Sequence, residues 1–326
     1  MGENKVLEST RFLIENPDYV FINQDKLKET SERFSQEELI IPSWEDPISL
    51  EGTGPEVIDF MFLGNSINFA YTDFESKEKF TAEYDENSWR GAFGMWACLK
   101  KAIEQDIPIL EGEYLKDISK KDMKKIFEGN IEIPMFEERY KIFKEVGRVL
   151  CQKYDGHFYN LVNLSNKRLF DEGKGIVERL TSDFPSFDDS AAIDHKRIRF
   201  DKRAQLAPAM VCGRFNHYGL DFVEDVDELT IFADYVLPKS LRDLDILVYS
   251  KDLAEKVDSQ QLIYSWSPEE QEIRAATIHA SQMLIYMVNQ LRPNDLINAL
   301  HMDYKLWSES RNNKDSFHNL TRTIDY

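Results

Sequence analysis

Three observations predict a mostly α-helical protein with a minor β element. Apolar residues recur at three- and four-residue spacing along most of the chain. Several of these stretches open on Ser or Pro where a first helical turn begins. Only one stretch alternates with period two. The chain has 326 residues, 42% of them apolar, enough for one large or two closely packed domains. Its 40 basic and 59 acidic residues give a net charge of −19.

In order, 7–16 (LESTRFLIEN) and 24–34 (QDKLKETSERF) read as short amphipathic helices. Phe80, Ala82 and Tyr84 alternate before a turn through DEN, which predicts a small antiparallel hairpin. A helix over 89–105 follows and ends before Ile107-Pro108. Residues 119–129 open with Ser119 and Asp122 in a capping arrangement. Pro134 sits in the first turn of a helix over 134–154. Further helices are predicted over 174–184, 201–215 and 225–237. The longest, 267–291, has Ser267 as cap and Pro268 next, and 293–310 closes the series. The Pro- and Asp/Ser-containing stretch 182–196 marks the expected boundary between an N-terminal region, 1–185, and a C-terminal region, 186–326, with the active site between them.

Several classes are set aside at this point. No apolar run approaches the ~20 residues that a membrane span needs. The start MGENKVLEST has no apolar signal stretch, and Val6 stands where a myristoylation signal has Ser or Thr. Cys98, Cys151 and Cys212 are far apart, as free thiols in a reducing cytosol would be, so a cytoplasmic protein is expected. The six histidines show no metal spacing, and neither metal nor cofactor is expected. The negative field repels a long nucleic acid unless a local patch overrides it.

One such patch exists. Lys196, Arg197, Arg199, Lys202 and Arg203 place five cations within HKRIRFDKRAQ. They read either as an anion site suited to phosphate or as a solvated basic turn paired with Asp194 and Asp201. Aromatics gather at Phe60, Phe62, Phe69, Tyr71, Phe74, Trp89, Phe93 and Trp96, as a stacking pocket or as plain core, with Asn65 and Asn68 beside them able to read a base edge. Asp234 is a lone carboxylate inside TIFADYVLP. In the predicted helix 225–237 it falls in the last turn, where the dipole disfavours it, and Pro238 then ends the helix. A polar strip on an amphipathic helix and a site at a helix junction both fit this placement. EGTG at 51–54 is too short to cradle a phosphate, and nothing near Cys212 argues for an activated thiol.

Taken together, INFAY, FDKRAQLAPAM, LTIFADYVLPKSLRDL followed by LVYS, and EIRAATIHA resemble the queuosine salvage protein family, in order from about residue 57 to residue 285. That resemblance implies a mostly helical fold similar to helix-hairpin-helix DNA glycosylases. It also implies a hydrolase that cleaves the N-glycosidic bond of queuosine 5′-monophosphate and frees queuine, a 7-deazaguanine base, for tRNA modification. It gives Asp234 the catalytic role: a fixed anion that stabilises the cationic sugar or steers the attacking water. It makes Lys202, with Arg203, the phosphate ligands. Asn68, Phe69, Tyr71, Phe232, Tyr235, Glu272 and Arg274 become base and ribose ligands. Where the family often has Arg after FADY and Gln after LP, this chain has Val236 and Lys239. Where it has a Gly closing a helix, this chain has Asp245, a residue that tolerates left-handed geometry better than most. The changes leave a related 7-deazaguanine base open as the ligand.

The expectation is therefore a monomeric nucleotide N-glycosylase whose partner is a small nucleotide. The alternatives are a DNA or RNA base-excision glycosylase and a non-catalytic binding module for a modified nucleotide.

Overall fold

Helix starts capped in the sequence are capped in space. The Ser119 side chain accepts from the N–H of Asp122, and Ser267 from that of Glu270; the structure adds Asn23, which accepts from the N–H groups of Asp25 and Lys26 at the start of the helix over 24–35. The computed structural model describes residues 4–193, 195–310, 313 and 315–326. Among them are fifteen α-helices and six short strands. In chain order the elements are α1 (Lys5–Thr10), α2 (Phe12–Glu15), β1 (Val20–Ile22), α3 (Gln24–Ser35), α4 (Pro55–Ser66), β2 (Thr81–Tyr84), β3 (Asn87–Arg90), α5 (Ala92–Glu104), α6 (Gly112–Asp117) and α7 (Lys120–Ile126). Then come α8 (Phe136–Lys153), α9 (Phe158–Asn163), α10 (Ile176–Asp183), β4 (Ser190–Ile193), β5 (Lys196–Arg199) and α11 (Lys202–His217). The chain finishes with α12 (Val236–Asp243), β6 (Leu247–Tyr249), α13 (Lys251–Asp258), α14 (Pro268–Leu291) and α15 (Ala299–Glu309). No helix among the described residues is long and apolar enough to cross a membrane.

The strands form three separate antiparallel pairs: β2 with β3, β4 with β5, and β1 with β6. The β2–β3 hairpin is the predicted one. Its two-residue turn, Asp85 and Glu86, has φ of 50° and 59°, as a turn matched to strand twist requires. The other two pairs arise where the sequence shows no alternation. Asp194, a candidate partner of the basic stretch, lies outside the described residues.

Helix α4 also escapes the periodicity argument. Ten of its twelve residues, Val57 to Ser66, are buried, so it has no polar face to set against an apolar one. It packs against α11; α14 lies across α3 and the β1–β6 pair; α12 packs on α15. α14, which also packs on α1, α2 and α15, thus brings the first helices and the last one together.

The stretch 225–237 is not the predicted helix. A single 3-10 turn spans Val226–Glu228, irregular chain runs on to Asp234, and α12 begins at Val236. Two backbone N–H groups that a helix would use are held by side chains from elsewhere: Thr230 donates to Gln205 Oε1 at 3.0 Å and Phe232 to Asp303 Oδ1 at 3.0 Å. Pro238 is the third residue of α12, where a first-turn N–H has no intrahelical acceptor to lose. The proline therefore marks a helix start, not a stop. Asp234 stands before an N-terminus, and the helix dipole favours its charge instead of opposing it.

Candidate active site

Lys202 opens α11, Asp234 precedes α12, and Asp303 sits in α15. Gln205, one turn after Lys202, fixes Thr230, and Asp303 fixes Phe232, so the segment carrying Asp234 is stapled between these two helices. Half-buried Asp234 Oδ1 accepts the N–H of Val236 at 2.7 Å and of Leu237 at 3.1 Å. This is the capping geometry that holds a carboxylate still while leaving its second oxygen free of those bonds.

Lys202 is only 5% exposed. Burial pulls its ammonium below the usual lysine range; the charges of Asp234 and Asp303 oppose that, while Arg203 and Arg274 add to it. Its backbone N–H donates to Asp189, but its Nζ has no hydrogen-bond or ion-pair partner among the described residues. An unpaired buried cation near two carboxylates is a ready receptor for an anion. Asp303 is the complement. Burial pushes its carboxyl up to about 8 and Asp234 adds to that push, against the Phe232 N–H and Lys202. One carboxylate is thus held by two amide donors, and a neighbouring carboxyl keeps its proton at neutrality.

The remaining cations of HKRIRFDKRAQ are accounted for. Lys196 lies 4.0 Å from the centre of the Phe12 ring, Arg197 pairs with Asp188 at 3.1 Å, and Arg199 with Asp201 at 2.7 Å. Arg203, fully enclosed, donates to the carbonyls of Ser66 and Ser186. It clamps α4 to the turn before β4. An open groove of about 550 Å³ between α1 and β5 is lined by several of these paired residues, and Asp234 and Lys202 do not border it. A second, of about 370 Å³, lies by Asp59 and His157, at the opposite end of α4 from Asn65.

The aromatic set divides in two. Phe69 is enclosed between the guanidinium groups of Arg139 (4.1 Å) and Arg203 (5.3 Å), and Arg139 donates to the carbonyls of Ile67, Phe69 and Ala70. Phe60 and Trp96 meet at 5.1 Å in the core. Asn68 bridges Asn65 Oδ1 at 3.1 Å and the Tyr71 hydroxyl at 2.9 Å, so both ends of its amide are engaged inside the protein. Trp89 and Phe93 belong to another group: Phe93 is 38% exposed and stands 6.2 Å from Trp307, which stacks on Tyr304 at 5.9 Å. Trp307 is one turn beyond Asp303 on α15, so the same helix carries this wall and the Asp303 carboxyl.

Glu272 accepts the N–H groups of Asp18, Tyr19 and Val20 at 2.7–3.0 Å, holding the start of β1. Arg274 makes a two-pronged bond to Asp189 at 2.9 and 2.5 Å between the rings of Phe200 and Tyr326. Burial works against its charge, yet Asp189 and Glu270 raise it above the usual arginine value. Buried Phe232 carries the amide bound by Asp303, and the Tyr235 ring lies 4.5 Å from that of His318, tilted by 38°. Of the family departures, Lys239 bonds Asp243 and the carbonyls of Ser310 and Asn313, and Asp245 does adopt φ of 56°. Burial pushes the Cys212 thiol well up, away from reactivity.

Sequence reasoning missed Asp303. Asp303 lies between Leu300 and Leu306 on α15, among the helix's buried residues, a placement that the search for a carboxylate inside an apolar run did not reach.

Residues 49–326 match the family described as queuosine salvage protein. A Sphaerobacter thermophilus protein named queuosine 5′-phosphate N-glycosylase/hydrolase is 31% identical over 323 residues, 98% of this chain and 97% of its own. Proteins of the same name from Mus musculus and Bos taurus are 28% and 27% identical, each over 98% of both chains.

Proposed function

The chain belongs to the queuosine salvage protein family, and from that premise we propose how its residues perform the reaction for which its relatives are named. It is an N-glycosidic bond hydrolase acting on queuosine 5′-phosphate. The observation that carries the residue assignment is the convergence of Lys202, Asp234 and Asp303 from three elements.

Lys202 takes the 5′-phosphate, satisfying a cation that has no other hydrogen-bond partner among the described residues. That anchor, remote from the bond that breaks, positions the sugar against Asp234. As the bond from C1′ to the base opens, its electron pair leaves with the base and positive charge grows on the sugar. Asp234, a fixed anion, favours that state. Asp303, protonated at neutrality, gives the departing base its proton. A water oxygen then bonds to C1′ and loses its proton to the free oxygen of Asp234. The base lies against the wall of Phe93, Trp307 and Tyr304.

Arg203, Phe69, Glu272 and Arg274 act on this reading as the frame that holds Lys202 and its neighbours in place, and Asn68 and Tyr71 extend that frame. On this reading the three charged residues come from the C-terminal region, 186–326, and Phe93 brings in the N-terminal one; a fold of the helix-hairpin-helix glycosylase kind agrees with the high helix content. The test is hydrolysis of queuosine 5′-phosphate by the purified protein, with free base followed by chromatography. Binding without any product on long incubation would instead mark a non-catalytic module.

A further inference from the structure

Residues 318–326 do not trail into solvent. Asn319, Leu320, Thr321, Thr323, Asp325 and Tyr326 are all buried. Gln260 donates to the His318 carbonyl at 2.9 Å, Ile263 N–H to that of Leu320 at 2.8 Å, and Ala70 N–H to that of Tyr326 at 3.3 Å. This strap runs from the Asp234 turn to the ring contact between Tyr326 and Arg274.

At its outer end the His318 ring lies 4.5 Å from that of Tyr235, the residue next to Asp234. A carbonyl can only accept, so the 2.8 Å contact with the Asn319 oxygen fixes the proton on His318 Nδ1. Nε2 is then the unprotonated nitrogen, and it has no hydrogen-bond partner among the described residues. The charged and titratable groups that act on the imidazole are Asp234, Lys79, Lys239 and the adjoining Tyr235. Burial pulls His318 below the usual histidine range and the two lysines act the same way; the Asn319 carbonyl and Asp234 oppose that.

We propose that His318 is a positioning residue for the hydrolysis: its neutral ring, held by the strap, seats Tyr235 and so the Asp234 turn, and leaves the Asp234 charge to the sugar. This rests on the reading of Asp234 given above. A charged imidazolium beside Asp234 competes with the cationic sugar for the same anion, so turnover requires the neutral form. The consequence is an acid limb in kcat, with a midpoint below the usual histidine value, that belongs to His318.

The test follows kcat and KM for queuosine 5′-phosphate from about pH 5 to about pH 8 in three proteins. These are the wild type, His318→Phe, which keeps a ring against Tyr235 but cannot charge, and His318→Asn, whose amide can still donate to the Asn319 carbonyl. The expected result is that both variants lose the histidine limb. His318→Asn, without the ring, also loses about 10- to 100-fold in kcat with KM little changed, the size of a misplacement effect. A wild type that does not hydrolyse the nucleotide overturns the functional reading and this inference with it. An active wild type matched by both variants at every pH overturns this inference alone.

Discussion

The Phe232 N–H donates to Asp303 Oδ1 at 3.0 Å, and this one bond ties α15 to the segment that carries Asp234. It brings near Asp234 a carboxyl that burial raises to about 8.

Asp303→Asn keeps an oxygen for the Phe232 amide but has no proton to give. Wild-type kcat is expected to fall as pH rises through about 8, where Asp303 loses its proton. The variant should be roughly 100-fold slower at neutrality and lack that alkaline limb, consistent with general acid catalysis of that size. A pH–rate profile of each protein checks it; an unchanged limb would remove Asp303 from the proton transfer.

Lys202→Met removes the charge and keeps most of the volume. A hydrogen bond to a charged group is worth about 1.5–3 kcal/mol, so KM for the nucleotide should rise roughly 10- to 100-fold. The dephosphorylated nucleoside should be nearly indifferent to the change. Kinetics on both substrates decide whether Lys202 grips the phosphate.

Arg203→Met should behave differently from its neighbour. It leaves the Ser66 and Ser186 carbonyls without their donor, inside the protein. A loss of about 3 kcal/mol of stability is expected, read as a lower denaturation midpoint, with no selective penalty for the phosphorylated substrate.

These two adjacent residues show how far the sequence could be read. The charge cluster was visible, but which cation stays unpaired depends on Asp188, Asp201 and two carbonyls brought in by folding. Helices with one polar face, such as α3, or a capped start, such as α7 and α14, were legible because each signal is local. Helix α4 was not, since burial on all sides erases the periodicity, and three-residue strands are too short to alternate. Pro238 was misread because a proline stops a helix from inside but is harmless in its first turn, and only the bonds from Gln205 and Asp303 reveal where that turn begins. The FADY and KRAQ stretches pointed to Asp234 and Lys202; Asp303 lay outside both.

Stability should depend on pH through the enclosed carboxyls. Burial raises Asp201 and Glu270 each to about 7, against the arginines beside them, and Asp303 to about 8. Unfolded carboxyls titrate near about 4. A group raised on folding contributes stability that is complete below its unfolded value and is lost as pH climbs through the folded one. Tm is therefore expected to fall between about pH 4 and about pH 8, from the unfolded value up to the folded ones, and Glu270→Gln should make the slope shallower. Thermal melts across that range check it; a Tm that rises over the interval would contradict it.

The most direct measurement is single-turnover hydrolysis of queuosine 5′-phosphate by Asp234→Asn. The asparagine oxygen can still accept the Val236 and Leu237 N–H groups, so the melting curve should match that of the wild type. Only the charge is gone, and its loss should slow the chemical step by roughly 100-fold or more, about 3 kcal/mol. A folded variant that cleaves the nucleotide at the wild-type rate would contradict the account.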